Sequence, residues 1–180
     1  LKKGFDINAF GGVYAARVAY NRGLKHEGCH GIDLMRYLFG NFKNGYVCNY
    51  ENYIVDNGVD NPTFCSYLSY EKCPHVFFVP VDGRVYSVFE IEIWTGAGKI
   101  SLIDHGKVLE AIEVVEEKTY GNYNALNYTN PILIKTRLTR ALLQLTTECV
   151  DYIKTGKEVS CTVDDAIAVH DVLNHIGVTK

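Results

Sequence analysis

Between Tyr20 and Gly40 the chain gathers Tyr20, Arg22, Lys25, His26, Glu27, His30 and Asp33. Imidazoles titrate near neutral pH, so His26 and His30 suit proton transfer or metal ligation. Their spacing of four places both on one flank of a helix, with Asp33 and Tyr37 on the same side. Arg22 and Lys25 add positive charge for a carboxylate or phosphate. Two chemistries follow from this set. In the first, His26-Glu27-x-x-His30 spells the zinc-protease pattern, in which two imidazoles chelate a metal and the Glu activates water. Against it, Gly28 weakens the turn that must hold the ligands. Asp33 stands where a glycine would continue that motif, and a third ligand would have to come from Glu51 or Asp56. In the second, an imidazole acts as a general base and takes a proton from a substrate. A third reading makes the chain a non-catalytic interaction module. Histidines on helix flanks are often merely solvated, and Asp33 also suits holding its own helix.

The elements that must position these groups read from periodicity. Ile32, Met35 and Phe39, with Leu34 and Leu38, recur at helical spacing, so a helix is expected over His26–Phe39, stopped by Gly40. From residue 45 to 115 the period becomes two. Six β-rich runs follow: Tyr46–Ile54, Thr63–Tyr70, His75–Val81, Val85–Trp94, Lys99–Ile103 and Val108–Val115. Asn57-Gly58, Asp82-Gly83, Gly96-Ala97-Gly98 and Asp104-His105-Gly106 punctuate them as hairpin signals. In the fourth run Val85, Phe89, Ile91 and Ile93 share one face. Tyr86, Val88, Glu90, Glu92 and Trp94 share the other, which suits a partner or a second subunit. Val13–Tyr20 reads as a short helix or strand, and residues 116–131 as a loop. An amphipathic helix is expected over Ile134–Lys154, burying Leu138, Ala141, Leu142, Leu145, Cys149, Tyr152 and Ile153. A last helix, Val163–Ile176, is capped by Thr162. Helix, sheet, helices without alternation predicts a single α+β domain: a large, mainly antiparallel open sheet with helices packed on one face.

Composition narrows the partners. The chain has 180 residues and a net charge of −3 without a basic face, which speaks against nucleic acid. No apolar run reaches membrane-spanning length. Six cysteines without a C-x-x-C pair predict reduced, mostly buried thiols and a cytoplasmic protein. No G-x-G-x-x-G occurs, so no dinucleotide fingerprint lies in these residues. The first residue is Leu1, and a piece of a longer chain is expected.

Three stretches carry a resemblance. His26-Glu-Gly-Cys-His30-Gly-Ile-Asp33 through Leu38-Phe-Gly40 resembles the G-x-H-x-x-D run that opens the C-terminal domain of the glucose–fructose oxidoreductase and inositol dehydrogenase (Gfo/Idh/MocA) family. Phe89-Glu-Ile-Glu-Ile-Trp-Thr-Gly-Ala-Gly-Lys-Ile resembles its strand–turn–strand. Cys149 through Ala166 resembles its closing helix–loop–helix. The resemblance implies the substrate half of an oxidoreductase that uses NAD or NADP on a sugar, polyol or related alcohol. The cofactor is then held mainly by an N-terminal Rossmann domain absent from these residues, and no metal is involved. It implies homo-oligomer contacts through the open sheet face carrying Tyr86, Val88 and Trp94. His30 aligns with the family's catalytic histidine, and His26 stands where the family often has an Asp. Arg22, Lys25, Tyr20 and Asp33 are the candidate substrate-binding residues. The family's catalytic Lys belongs to the upstream domain, so this chain alone is expected to be inactive.

Overall fold

The structure is a computed structural model that describes residues 10–49, 61, 63–119 and 121–177. It contains one nine-stranded sheet: β1 (Val13–Tyr20), β2 (Phe42–Asn49), β3 (Cys65–Tyr70), β4 (Val76–Pro80), β5 (Phe89–Thr95), β6 (Gly98–Ile103), β7 (Val108–Glu117), β8 (Tyr123–Leu126) and β9 (Ile132–Lys135). The order is β2-β3-β4-β1-β5-β6-β7-β8, and β9 pairs with β7 beside β8. Every pairing is antiparallel except β1 with β4. Three helices follow the expected places: α1 (Cys29–Phe39), α2 (Ala141–Thr155) and α3 (Val163–His175). The α+β class is therefore as expected.

The core lies between the sheet and α1 with α3. Ala16, Val18 and Tyr20 of β1, Leu68 and Tyr70 of β3, Val76 and Phe78 of β4, and Ile91 and Ile93 of β5 face Ile32, Met35 and Phe39 of α1. Val169, Val172, Leu173 and Ile176 close it from the α3 side. Each large side chain so buried contributes about 1.5–3 kcal/mol by leaving water. At Gly31 α1 comes close to the sheet: a Cβ there would meet Val18 Cγ1 at 2.8 Å and Phe78 Cε1 at 2.9 Å. Thr162 caps α3 as expected, and Asp165 Oδ2 accepts from its backbone N–H to complete a capping box.

The opening segment Val13–Tyr20 is a strand, one of its two expected readings, and it lies at the centre of the sheet between β4 and β5. Its alternation is weak because only Arg17, between Ala15 and Ala19, marks the open face. Several other expectations are corrected. β5 begins at Phe89, so Val85, Tyr86 and Val88 precede the sheet, and the open face carries Trp94 without Tyr86 and Val88. Asp82-Gly83 is no hairpin: the chain from β4 passes across β1 to reach β5. Gly96-Ala97-Gly98 and Asp104-His105-Gly106 do join antiparallel neighbours, the second with left-handed φ at all three residues. Asn57-Gly58 lies outside the described residues. The 116–131 loop contains β8, and Ile134 belongs to β9 rather than to a helix. The stripe expected to be buried on α2 is exposed along the whole helix. Among the six free thiols only Cys73 is buried; Cys48, Cys149 and Cys161 are exposed.

Candidate functional site

The junction between β1 and α1 carries every candidate residue. β1 runs into the core, where Tyr20 and Asn21 are fully buried. The chain then turns sharply, with φ of 56° at Arg22 and 84° at Gly23. A left-handed conformation costs a non-glycine residue about 1–2 kcal/mol. The expected helix does not begin at His26. Residues Leu24–Gly28 form a π-helical turn, and α1 proper starts at Cys29. In that turn the N–H groups of His26, Glu27 and Gly28 all donate to the carbonyl of Gly23, at 3.3, 3.1 and 3.2 Å. Short π segments of this kind cluster at functional places.

Distant polar groups hold the turn. Tyr20 Oη donates to the Phe64 carbonyl at 2.7 Å and accepts from the Phe64 N–H at 2.9 Å. Gly23 N–H donates to Thr63 Oγ1 at 3.0 Å. Asn61 Oδ1 accepts from Lys25 N–H, and Asn61 Nδ2 donates to the Arg22 carbonyl, both at 3.0 Å. Asn21 Nδ2 donates to the Tyr86 carbonyl at 2.8 Å.

The result is a rigid base with exposed chemistry on it. His26, His30, Lys25 and Arg22 all stand on the surface within one stretch of nine residues. Arg22 Nη1 lies 3.9 Å from Glu27 Oε1, and Glu27 Oε2 is buried with no hydrogen-bond partner among the described residues. Cys29 Sγ donates to the His26 carbonyl at 2.8 Å, and burial pushes that thiol's pKa up. Tyr20 is corrected: it has no exposed surface and its hydroxyl is spent on Phe64, so it shapes the junction instead of meeting a substrate. Burial also raises its phenol's pKa.

Asp33 sits one turn beyond His30, half-exposed, with Arg36 Nη1 at 3.6 Å. Partial burial raises its carboxyl pKa, Arg36 pulls it down, and Asp165 pushes it up again. Asp33 opens onto a cavity of about 560 Å³ between α1 and the α2–α3 link, lined also by Arg36, Tyr37, Lys72, Ser160 and Asp165. Arg36 spans this gap by donating to the Asp165 carbonyl at 3.1 Å. Periodicity assigns Arg36 to the helix but not to the cavity, because the facing wall comes from residues more than a hundred positions away. Asn61 and Thr63 were also missed. Their only signal is polar turn chemistry, which does not reveal a partner some forty residues earlier.

Among the described residues, no group of three or more His, Cys, Asp or Glu side chains is gathered around a common point as metal ligands would be. His26 lies in the π turn and His30 in the α-helix, so the regular i to i+4 helical platform of a zinc protease is broken between them. Glu51 and Asp56 lie outside the described residues.

Comparison with known proteins then supplies the fold's relatives. No family model matches this sequence, and no curated protein matches it. Solved structures do match. Levoglucosan dehydrogenase in complex with NADH and L-sorbose is 16% identical with a TM-score of 0.64. The match covers 94% of this chain and 56% of that one. The fold is that of just over half of that chain. UDP-N-acetylglucosamine 3-dehydrogenase from Acidithiobacillus ferrooxidans is 11% identical with a TM-score of 0.67, over 95% of this chain and 54% of that one. Biliverdin reductase from Synechocystis, bound to biliverdin and NADP+, is 13% identical with a TM-score of 0.62, over 94% and 55%. This chain thus spans just over half the length of the structures it matches. The shared fold is the one implied by the sequence resemblance.

Proposed function

We propose that this chain is the substrate-side half of an NAD(P)-dependent oxidoreductase acting on a sugar, polyol or related alcohol, with His30 as the proton-accepting base. The observation that carries the reading is the junction itself: a buried, strained and heavily hydrogen-bonded turn that ends in two exposed imidazoles. A strained backbone persists only where its surroundings over-determine it, and such places cluster at functional sites. The fold shared with nicotinamide-bound dehydrogenases supports the same reading.

The nicotinamide, when bound, supplies the hydride acceptor, and its dinucleotide is held outside these residues. What this chain contributes is substrate position and the proton path. The imidazole of His30 accepts the hydroxyl proton as the carbon becomes a carbonyl, and its exposure lets the proton pass on to water. His26 lies beside that path in the π turn, and Arg22 and Lys25 favour a substrate bearing a carboxylate or phosphate. Asp33 stands behind His30, shared with Arg36. Self-association through the open sheet face belongs to the same reading. There Tyr46 and Phe77 flank Tyr67 with ring centroids 5.4 Å apart on each side.

The test is to titrate NADH and NADPH into the protein translated from its natural start, with this chain as control. Binding to the long form only is expected. There His30→Ala should lower turnover about 10²- to 10⁴-fold, the usual worth of a positioned base. Absence of binding to either form overturns the assignment. Sedimentation of the same protein reads the oligomer, and a strictly monomeric species removes the open-face contact.

A further inference from the structure

We propose that Asn61 is a positioning residue for this site: its side-chain amide, bonded at both ends to the turn before α1, fixes where the imidazoles of His26 and His30 stand. The inference rests on reading those imidazoles as the substrate-facing pair.

The turn cannot hold itself. The first N–H groups of a helix lack internal partners and normally find one in a local capping side chain. Here neither the π turn nor α1 has such a cap. The Gly23 carbonyl accepts from His26, Glu27 and Gly28, and Lys25, only two residues beyond it, stands too early in the turn to find an acceptor there. Asn61, thirty-six positions further along, supplies the missing acceptor through Oδ1. With Nδ2 it satisfies the carbonyl of Arg22, the residue held in the left-handed conformation. One rigid amide therefore ties the strained residue to the first turn behind it.

Packing points the same way. A Cβ on Gly23 would lie 2.2 Å from Asn61 Cγ, so the amide rests directly on the glycine's Cα. Thr63 Oγ1 takes the Gly23 N–H next to it. From this clamp the chain leads to His26 within one residue of Lys25, and the Cys29 thiol bonds the His26 carbonyl in turn. His30 follows in the first turn of α1. Loss of the clamp lets the turn relax toward an ordinary helical start, which carries both imidazoles with it. Misplacement by about 1 Å costs catalysis as much as 100-fold.

The experiment compares wild type, Asn61→Ala and Asn61→Asp in the protein translated from its natural start. Asn61→Asp retains the acceptor for Lys25 and loses the donor to Arg22, so it gives an intermediate result and serves if the alanine variant does not fold. The first readout is the ring C–H resonances of His26 and His30 by NMR, with thermal melting alongside. The second is turnover. Displaced resonances for both histidines, with kcat down about 10- to 100-fold and KM little changed, are expected for Asn61→Ala. A folded variant whose two histidine resonances stay in place overturns the proposal, even if its melting temperature falls. If wild type turns over no alcohol, the oxidoreductase reading falls, and the resonances alone decide whether Asn61 sets the imidazoles.

Discussion

In α1, Ile32, Met35 and Phe39 have no exposed surface. In α2, Leu142, Leu143 and Ile153 are 76%, 68% and 81% exposed. Both helices show a clear apolar stripe at helical spacing. The difference lies in what faces them. α1 follows the central strand directly and falls back on the sheet, with Gly31 letting it approach Val18 and Phe78. α2 follows β9, a strand hydrogen-bonded to β7 but exposed along its length, and meets neither sheet nor sister helix closely. Periodicity therefore reports which face of a helix is apolar, and only the topology decides whether anything covers it.

The largest effect should separate the two helices. Phe39→Ala is expected to cost about 3–5 kcal/mol, the range for emptying an aromatic site in a core. Leu142→Ala is expected to stay within about 0.5 kcal/mol, as surface changes do. Urea denaturation of both variants of this chain measures the contrast. A Leu142→Ala penalty comparable to that of Phe39→Ala would mean that α2 is covered in solution.

A finer contrast uses two glycines. Gly23 and Gly156 both have positive φ, 84° and 72°, with ψ extended at Gly23 and left-handed helical at Gly156. Around Gly156, at the end of α2, nothing lies within 4 Å of a Cβ, whereas at Gly23 Asn61 occupies the space. Gly156→Ala should cost only the conformational penalty of about 1–2 kcal/mol. Gly23→Ala should add an overpacking penalty of about 1–3 kcal/mol and displace Asn61. Equal costs in denaturant melts would show that the junction is looser than its geometry indicates.

How far the sequence alone led follows the same division. Helix α3 was legible nearly to the residue, since Thr162, Asp165 and the apolar period are all local signals. β6 and β7 were legible because left-handed hairpin residues mark their ends. The central strand β1 was legible only as a helix or a strand, since Ala15, Ala16 and Ala19 leave a weak alternation in which Arg17 alone marks the open face. At the site, His26 and His30 stood out by type and spacing. The π turn and the Asn61 bonds did not, because both are settled by residues distant in sequence. Tyr20 misled for the opposite reason. A tyrosine beside an arginine reads as a substrate contact, and only the fold shows Phe64 holding its hydroxyl.

The smallest effect tests how the exposed arm is joined to the rest. Glu148 of α2 accepts from Ser160 Oγ at 2.5 Å, from Ser160 N–H at 3.0 Å and from Gln144 Nε2 at 3.0 Å. Those bonds, Ser160 hydroxyl and Gln144 amide first, hold its carboxyl pKa down from 4.5 to about 2. A carboxylate whose pKa is lower folded than unfolded contributes stability that is fully present above the unfolded value. That contribution is lost as pH falls through the folded one. The link between α2 and α3 should therefore stay closed at neutral pH and open progressively between pH 4.5 and about 2. Exchange of the Ser160 amide proton reads the opening, and Glu148→Gln should weaken protection already at neutral pH. The carboxylate is solvent-exposed, so salt and water screen it, and the effect belongs to the link and not to global stability. A Glu148 that titrates at its ordinary value would leave α2 tethered by its backbone alone. In that case the contrast between the two helices is sharper still: one is fixed by the core, and the other is held only by the chain on either side.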